Sequence, residues 1–205
     1  MKNHWTPRYI FNRLKNYFFE KNNPNLPWIN SSAINIFTEL LTDEDVGVEF
    51  GSGKSTVWFS KKIKHLTSVE DHKDWFDRIR GELPNQLIKN VDYLFKESSD
   101  SNPLESDYCK LIDRFKNESL DFVIVDGKYR DIFSLKSISK VKKGGFIFLD
   151  DANRYLPRKT YSPHSINDDI NKVTENWKQF INQTSNWRKI WTTNGVTDAV
   201  FLLKR

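Results

Sequence analysis

Short apolar runs alternate with helix-like stretches from residue 46 onward, and this alternation limits the folds that the chain can adopt. The runs read VGVEF (46–50), LTSVE (66–70), VDYLF (91–95), DFVIVD (121–126) and GFIFLD (145–150). Near-continuous Val, Ile, Leu and Phe is typical of parallel strands that are covered on both faces. The pattern therefore predicts βαβ units around a central parallel sheet in an α/β protein.

The C-terminal part departs from this pattern. The segments WRKIWTT and TDAVFLLKR flank Asn194-Gly195, a dipeptide that tolerates positive φ and commonly closes a hairpin. We therefore expect the sheet to end in an antiparallel pair. Between the fifth run and this hairpin lies a long polar segment, 152–165, and long ordered loops at strand ends tend to be functional.

The residues that precede the sheet, 1–45, are predicted to form a helical extension, followed by one domain over 46–205. Within the extension, RYIFNRLKNYFFE places four apolar side chains on one helical stripe: Ile10, Leu14, Tyr17 and Phe18. A basic amphipathic helix can lie on a membrane. Docking of such a stripe on its own domain or on a subunit partner is commoner, so we predict docking and keep a homo-oligomer open.

Length and composition are those of one soluble globular domain. The chain has 205 residues, of which 38% are hydrophobic and 29% charged, and its formal net charge is +5. Its longest apolar runs are too short to span a membrane, and the N-terminal residues lack the apolar segment of a secretion signal. A cytoplasmic location without a membrane span is therefore expected. The single cysteine excludes an intramolecular disulfide.

The stretch GVEFGSGKST, 47–56, contains the Gly-Lys-Ser of a phosphate-binding loop without the spacing of that loop. Counting back from Gly53, the first glycine of the loop would fall on Val48. Glu49 would then lie beside the phosphates, where a carboxylate at about 4 Å is unfavourable by about 4 kcal/mol at an effective dielectric of about 20. A nucleotide hydrolase with a P-loop-like turn, with FVIVD as its second acidic motif, remains an alternative.

The same stretch matches the pattern acid-x-Gly-x-Gly at the end of a first strand. It resembles motif I of class I S-adenosylmethionine-dependent methyltransferases, and the resemblance covers about 46–205. It implies a three-layer Rossmann-like methyltransferase fold, with a seven-stranded, mostly parallel sheet in the order 3-2-1-4-5-7-6 and a C-terminal antiparallel hairpin. It also implies S-adenosyl-L-methionine as the cofactor. The glycines of this turn would let the backbone approach that ligand closely.

The resemblance assigns roles around this turn. Glu49 would face the cationic amino and sulfonium side of the cofactor, and the helix that begins near Ser55 would offer amides to its carboxylate. Glu70 ends the second strand nineteen residues after Gly51, where the family places an acid on the ribose hydroxyls. Asp107 and Tyr108 are further candidates for the adenine. The predicted cofactor-binding set is Glu49, Gly51, Ser52, Gly53, Ser55, Glu70, Asp71, Asp100 and Asp126.

Acidic residues follow the fourth and fifth strands, in VDGKYRD and LDDANR. Neighbouring strands lie about 4.8 Å apart, so Asp126, Asp150 and Asp151 would crowd three carboxylates together, and a bound cation would relieve their repulsion. Oxygen ligands suit Mg²⁺, Ca²⁺ or Mn²⁺ rather than zinc. A metal-free interpretation is equally open, in which Asp126 shapes its turn, Asp150 touches the cofactor and Asp151 caps a helix.

This corner resembles the metal site of catechol-type and caffeoyl-CoA-type O-methyltransferases. It is closer to that of macrolide-sugar O-methyltransferases, which show Asp-Gly after strand four and Asp-Asp after strand five. The resemblance implies methylation of a hydroxyl on a small molecule, sugar or glycan. The candidate catalytic residues are Asp126, Lys128 and His164. Lys128 follows Asp126 by two residues rather than the three of catechol-type enzymes, and an unperturbed histidine pKa near about 6.5 suits a base.

The sequence contains fewer signals for the identity of the methyl acceptor. A group of basic residues could hold a phosphate or carboxylate on the acceptor or form a solvated rim: Arg130, Arg154, Arg158 and Lys159. The chain lacks the Asn/Asp-Pro-Pro-Tyr motif of amino-group nucleic-acid methyltransferases, and its lysines are spread rather than clustered. Small hydroxyl acceptors are thus favoured over nucleic acid. A non-catalytic module that binds a partner through the aromatic N-terminal helix is a third hypothesis.

Overall fold

The computed structural model describes residues 5–85 and 88–205, so the first four residues of the predicted extension lie outside the described part. The helices are α1 (Pro7–Asn22), α2 (Ser31–Leu40), α3 (Lys54–Ser60), α4 (Lys73–Asn85), α5 (Asp107–Lys110), α6 (Arg130–Lys140) and α7 (Glu175–Gln183). The strands are β1 (Val46–Phe50), β2 (His65–Glu70), β3 (Val91–Phe95), β4 (Leu120–Val125), β5 (Val141–Leu149), β6 (Arg188–Thr193) and β7 (Asp198–Leu203). Short 3₁₀ turns lie in the connections.

The seven strands form one sheet in the order β3-β2-β1-β4-β5-β7-β6, which confirms the predicted topology. Strands β1 to β5 are parallel, and β7 runs antiparallel between β5 and β6. The predicted hairpin is confirmed too: Gly195 has a φ of +76°, and the Asn194 amide donates to the Thr197 carbonyl at 3.3 Å. Strand β5 begins four residues earlier than its apolar run, with a register shift in its pairing to β4.

Two aromatic-rich clusters cover the two faces of the sheet and create the three layers. On one face, Phe50 stacks on Phe133 of α6 with ring centroids 3.7 Å apart. On the other face, Phe37 of α2 contacts the rings of Phe148 and Phe201, each at 4.7 Å. Helix α2 therefore belongs to the layer that covers the sheet, although it precedes the first strand.

The apolar stripe of α1 does not dock on its own domain, whereas its docking on a subunit partner stays a prediction. None of its residues is buried, and Ile10, Leu14, Tyr17 and Phe18 are between 44% and 57% exposed. The helix instead turns Asn12, Asn16 and Phe19 inward. A Cβ added to Gly195 would lie 2.0 Å from the Asn12 amide nitrogen, and Phe19 packs against the core cluster that contains Phe37. The reason is that the hairpin tip it meets is polar. No helix in the described ranges is both long enough and apolar enough to cross a bilayer.

Candidate functional site

The turn that leaves β1 lies against the turn that leaves β4. Gly51 has a φ of +93°, and a Cβ at this position would lie 2.5 Å from the Gly127 nitrogen. The Gly127 amide in turn donates to the Phe50 carbonyl at 2.6 Å. Only glycine fits this contact, which fixes the first turn of the predicted motif beside the fourth strand.

Gly53 is different, because the protein itself does not require a glycine there. Its φ of 175° is extended backbone that any residue adopts. An added Cβ would meet no atom nearer than the Ser55 hydroxyl oxygen, at 3.7 Å. The turn therefore leaves room beside a buried backbone position. A ligand that approaches the backbone closely is a physical reason for glycine at this place.

Glu49 is fully buried at the end of β1. Its Oε2 accepts from the hydroxyls of Thr56 at 2.6 Å and Ser68 at 2.7 Å, whereas its Oε1 has no hydrogen-bond partner. Burial raises the pKa of Glu49 to about 7, against the opposing effect of the nearby hydroxyls of Ser55, Thr56 and Ser68. A buried acceptor without a partner is unfavourable, and a cationic donor would satisfy it.

Glu70 ends β2 and joins two turns. Its Oε2 accepts from the Ser52 amide at 3.0 Å and the Ser52 hydroxyl at 2.8 Å. Its Oε1 accepts from the amides of Asp71 at 3.0 Å and His72 at 2.9 Å. The Ser52 hydroxyl also lies 2.7 Å from the Tyr93 hydroxyl. The two predicted acids, Glu49 and Glu70, thus border the same turn, and the ribose contact of Glu70 stays a prediction.

Lys54, the lysine of the apparent Gly-Lys-Ser, points away from the turn. Its ammonium donates to the Pro24 carbonyl at 2.9 Å and lies 5.1 Å from the centre of the Trp28 ring. In a phosphate-binding loop this lysine contacts the phosphates. The position of Lys54 therefore argues against the nucleotide-hydrolase alternative.

The acids after β4 and β5 meet around Arg130. Its guanidinium donates to Asp126 Oδ1 at 2.8 Å, to the Asp150 carbonyl at 2.6 Å and to the Gly127 carbonyl at 3.0 Å. The Asp151 side chain accepts from the Thr197 hydroxyl. Arg130 therefore supplies the positive charge that this corner needs.

The structure does not support the predicted metal site at Asp126, Asp150 and Asp151. In the described part of the chain, no three His, Cys, Asp or Glu side chains are arranged to hold a metal ion, so the residues present do not fit Mg²⁺. The sequence contained a signal for this arrangement, because the basic residue Arg130 follows Asp126 within the same turn. The observed ion pair differs from both roles predicted for Arg130, an acceptor contact or a solvated rim.

The carboxyl groups of this corner hold protons more tightly than usual. Desolvation raises the pKa of Asp126 to about 6, Arg130 lowers it and the charge of Asp151 raises it further. Burial and the neighbouring Asp126 raise the pKa of Asp150 well above its usual range, and its Oδ1 has no partner. The Asp126 side chain is 38% exposed. A carboxylate with these properties can take up a proton near neutral pH.

Lys128 and Asp100 form an exposed pair apart from this corner. The Lys128 ammonium lies 2.7 Å from Asp100 Oδ1, which also accepts from the Tyr129 hydroxyl at 2.5 Å. The hydrogen bond to Asp100 raises the pKa of Lys128, and the role of this lysine as a base stays a prediction. Asp100 lies at the surface, where a cofactor contact remains a prediction.

The remaining candidates lie elsewhere. His164 is exposed in the loop after β5, at a φ of +59°, and its role as a base remains a prediction. Asp107 is exposed at the start of α5. Tyr108 is fully buried, with its ring against those of Phe50 and Phe133, and is therefore part of the core.

Asn153 organises the loop after β5, a role that sequence reasoning missed. Its side chain is almost fully buried. The Oδ1 atom accepts from the Asp198 amide at 3.0 Å, and the Nδ2 atom donates to the Pro163 carbonyl and the Ser165 hydroxyl, both at 3.0 Å. The loop is thereby tied to the start of β7. An asparagine in a polar segment gives no sequence signal for this, because its partners are distant along the chain.

Comparison with known structures supports the fold. A methyltransferase from Geobacter sulfurreducens is 11% identical with a TM-score of 0.57, over 94% of this chain and 88% of that one. A SAM-dependent methyltransferase from Aquifex aeolicus is 12% identical with a TM-score of 0.52, over 82% and 87%. An rRNA methylase from Streptococcus thermophilus is 13% identical with a TM-score of 0.53, over 84% and 94%. No protein-family model matches the chain, and no curated protein is similar to it in sequence.

The chain thus has the class I SAM-dependent methyltransferase fold. The similarity is at the level of the fold, since all these identities are low. Because one of the similar structures is an rRNA methylase, the fold alone does not define the acceptor.

Proposed function

We propose that the protein is a S-adenosyl-L-methionine-dependent methyltransferase that methylates a hydroxyl group of a small molecule, sugar or glycan. The observation that carries the proposal is the unpartnered Oε1 of the buried Glu49 at the end of β1. A cationic donor at this place would complete the hydrogen bonding of the acid, whereas a phosphate would be repelled by it.

Three residues of the turn would hold the cofactor. Glu49 would accept a hydrogen bond from its amino group, and the ionised form would be favoured because the ligand is cationic. Gly53 would allow the ligand to approach the backbone, where the protein leaves space. Glu70 would hold the ribose hydroxyls from the end of β2, with charge-assisted hydrogen bonds of about 1.5–3 kcal/mol each.

The chemistry at the strand ends is then positioning and proton removal. When bound, S-adenosyl-L-methionine would supply an electrophilic sulfonium methyl group for transfer to the acceptor oxygen, with a neutral thioether as the leaving group. Asp126 would accept the hydroxyl proton of the acceptor. Arg130 would position Asp126, since its guanidinium holds the carboxylate at 2.8 Å.

A matched pair of glycine variants tests the cofactor site. Gly53→Ala fits the ligand-free protein, so its unfolding should match that of wild type. We expect the affinity for S-adenosylhomocysteine to fall by about tenfold or more, because the new methyl group occupies space that the ligand needs. Gly81→Ala, in α4, also meets no atom within contact distance and should leave binding unchanged.

Calorimetry of wild type and both variants decides the matter. Equal affinities in all three proteins would refute the site. Release of S-adenosylhomocysteine on incubation with sugar or glycan acceptors would in addition exclude the non-catalytic binding module.

A further inference from the structure

A cavity of about 430 Å³ lies between α1, the loop after β5 and the β6–β7 hairpin. Its volume is within the range of about 300–1,000 Å³ that is usual for small-molecule sites. Helix α1 lines it with the side that faces the domain, including Asn12 and Asn16. The inward polar side of this helix thus forms the wall of a pocket.

The lining of the cavity is strongly basic. It contains Arg8 and Lys15 from α1, and Arg158 and Lys159 from the loop. The lining has one acidic residue, Asp198, whose carboxylate accepts from the Ser162 hydroxyl at 2.6 Å. The net positive charge of four cations and one carboxylate is larger than a ligand with a single carboxylate would neutralise. A diphosphate group carries more negative charge and matches it.

Two of the cations are held in place by aromatic rings. The Arg8 guanidinium carbon lies 4.2 Å from the centre of the Tyr161 ring, and that of Arg158 lies 4.7 Å from the centre of the Trp191 ring. In the described ranges, Lys159 alone of the four has an acidic partner, Asp168 at 3.8 Å. A stacked guanidinium keeps its N–H edge available for bidentate binding of a phosphate and loses little side-chain entropy on doing so.

The cavity lies at the same edge of the sheet as the acid corner, which is formed by Asp126, Asp150 and Asp151. Leu149 at the end of β5 pairs with Val200 of β7, so the start of β7 lies at the same sheet edge as the cofactor turn. The Thr197 hydroxyl donates to Asp151, and the amide of the lining residue Asp198 donates to Asn153. A ligand anchored in the cavity would therefore lie close to the corner that holds Asp126.

We propose that this cavity binds the diphosphate group of the methyl acceptor, an alcohol or sugar that is carried on a diphosphate. This inference rests on the proposed function, because it places the hydroxyl of the same molecule at the acid corner. The diphosphate belongs either to a nucleotide or to a prenyl lipid, and both present the same group to Arg8 and Arg158. A nucleic acid would instead need an extended basic stripe rather than a single pocket.

Calorimetry with inorganic pyrophosphate as the probe tests the site. We expect binding to wild type that weakens with salt and falls about tenfold or more in Arg8→Gln and in Arg158→Gln, since each loses a bidentate contact. Lys62→Gln is the matched control, because Lys62 also stacks on a tryptophan, Trp58, outside the cavity. Its pyrophosphate affinity should equal that of wild type.

Further ligands separate the sources and the two proposals. Tighter binding of a nucleoside diphosphate than of pyrophosphate supports a nucleotide carrier, and tighter binding of a prenyl diphosphate supports a lipid carrier. Absent pyrophosphate binding, or equal affinity in the Arg8 and Arg158 variants, overturns the site. The affinity for S-adenosylhomocysteine should be unchanged in these variants. If S-adenosylhomocysteine does not bind to the wild-type protein, the proposed function alone is refuted.

The outward face of α1 carries a second, independent inference. Besides the predicted stripe, Phe11 is 69% exposed, so the face presents an apolar surface along the whole helix. Two basic residues of α1, Arg13 and Lys21, do not line the cavity, and the helix has one acidic residue, Glu20. We infer that this face lies on an anionic membrane surface, which would bury the rings and attract the cations. A second copy of the same helix would bring like charges together.

Vesicle flotation tests this inference. The protein should float with phosphatidylcholine vesicles that contain about a third phosphatidylserine, and much less with phosphatidylcholine alone. Binding should fall about tenfold or more in the double variant Phe11→Ser/Phe18→Ser. Leu104→Ser, at an equally exposed leucine elsewhere, is the control. Equal flotation of the double variant overturns the inference, as does a dimer in light scattering that the double variant abolishes.

Discussion

Replacing Glu49 with glutamine should stabilise the ligand-free protein above neutral pH and weaken cofactor binding at the same time. The carboxyl group is fully buried and its pKa is about 7 in the folded protein, against 4.5 for an ordinary glutamate. The folded state therefore disfavours the ionised form by about 3 kcal/mol. Glutamine has nearly the same shape and lacks this ionisation.

The pH dependence of the stability follows from the sign of this change. An acid whose pKa is raised by folding binds more protons in the folded than in the unfolded protein between the two pKa values, so stability is lost as the pH rises through about 7. From about pH 5 to about pH 8 the wild type should lose about 2.5 kcal/mol through this group. The difference in unfolding free energy between variant and wild type should grow by this amount.

Cofactor binding should change in the opposite direction. The ionised Glu49 would make a charge-assisted hydrogen bond to the cationic amino group, worth about 1.5–3 kcal/mol, so that its loss weakens binding by about 10- to 150-fold. Urea unfolding at both pH values and calorimetry with S-adenosylmethionine at about pH 8 give the two quantities. A variant that is no more stable than wild type at the higher pH and binds with unchanged affinity would refute the reasoning.

Four further variants or treatments have defined outcomes. Asp126→Asn should lower kcat by about 10²–10⁴-fold. The wild-type kcat should rise as the pH passes about 6, where Asp126 loses its proton. A flat pH profile of S-adenosylhomocysteine release would contradict the role of Asp126 as the base. Arg130→Met should lower the unfolding free energy by about 1–3 kcal/mol, since it leaves the Gly127 and Asp150 carbonyls without their donor, whereas the exposed Arg114→Met should change it by less than about 0.5 kcal/mol. Gly195→Ala and Gly144→Ala both place alanine at positive φ, at a strain of about 1–2 kcal/mol. Only the new methyl group at Gly195 would clash with Asn12, so Gly195→Ala should lose more thermal stability than Gly144→Ala. A chelator should leave activity unchanged, because Arg130 fills the corner, and a loss that Mg²⁺ restores would show the opposite.

The strands of the sheet were predictable because they depend on local patterns, whereas their order was implied by the resemblance to class I methyltransferases. The apolar runs that became β1 to β5 needed no knowledge of their partners, and Asn194-Gly195 closed the hairpin as its conformational preference requires. The acid-x-Gly-x-Gly pattern likewise placed Glu49 and Gly51 at the correct turn, since that motif is a short segment with its own geometry.

Features that depend on long-range partners were not predictable in the same way. The three acids were correctly brought to one sheet edge, but the sequence did not reveal that Arg130 lies among them and pairs with Asp126. The periodicity of α1 revealed an apolar stripe without revealing which side meets the domain, and that side is set by Asn12 against Gly195. Periodicity alone carries no information about the polarity of the opposing surface.

A crystal structure with S-adenosylhomocysteine tests the central claim most directly. The account predicts a ligand amino group within about 3 Å of the unpartnered Glu49 Oε1 and ribose hydroxyls on Glu70. A ligand bound elsewhere, or one that leaves the Glu49 oxygen without a partner, would contradict it.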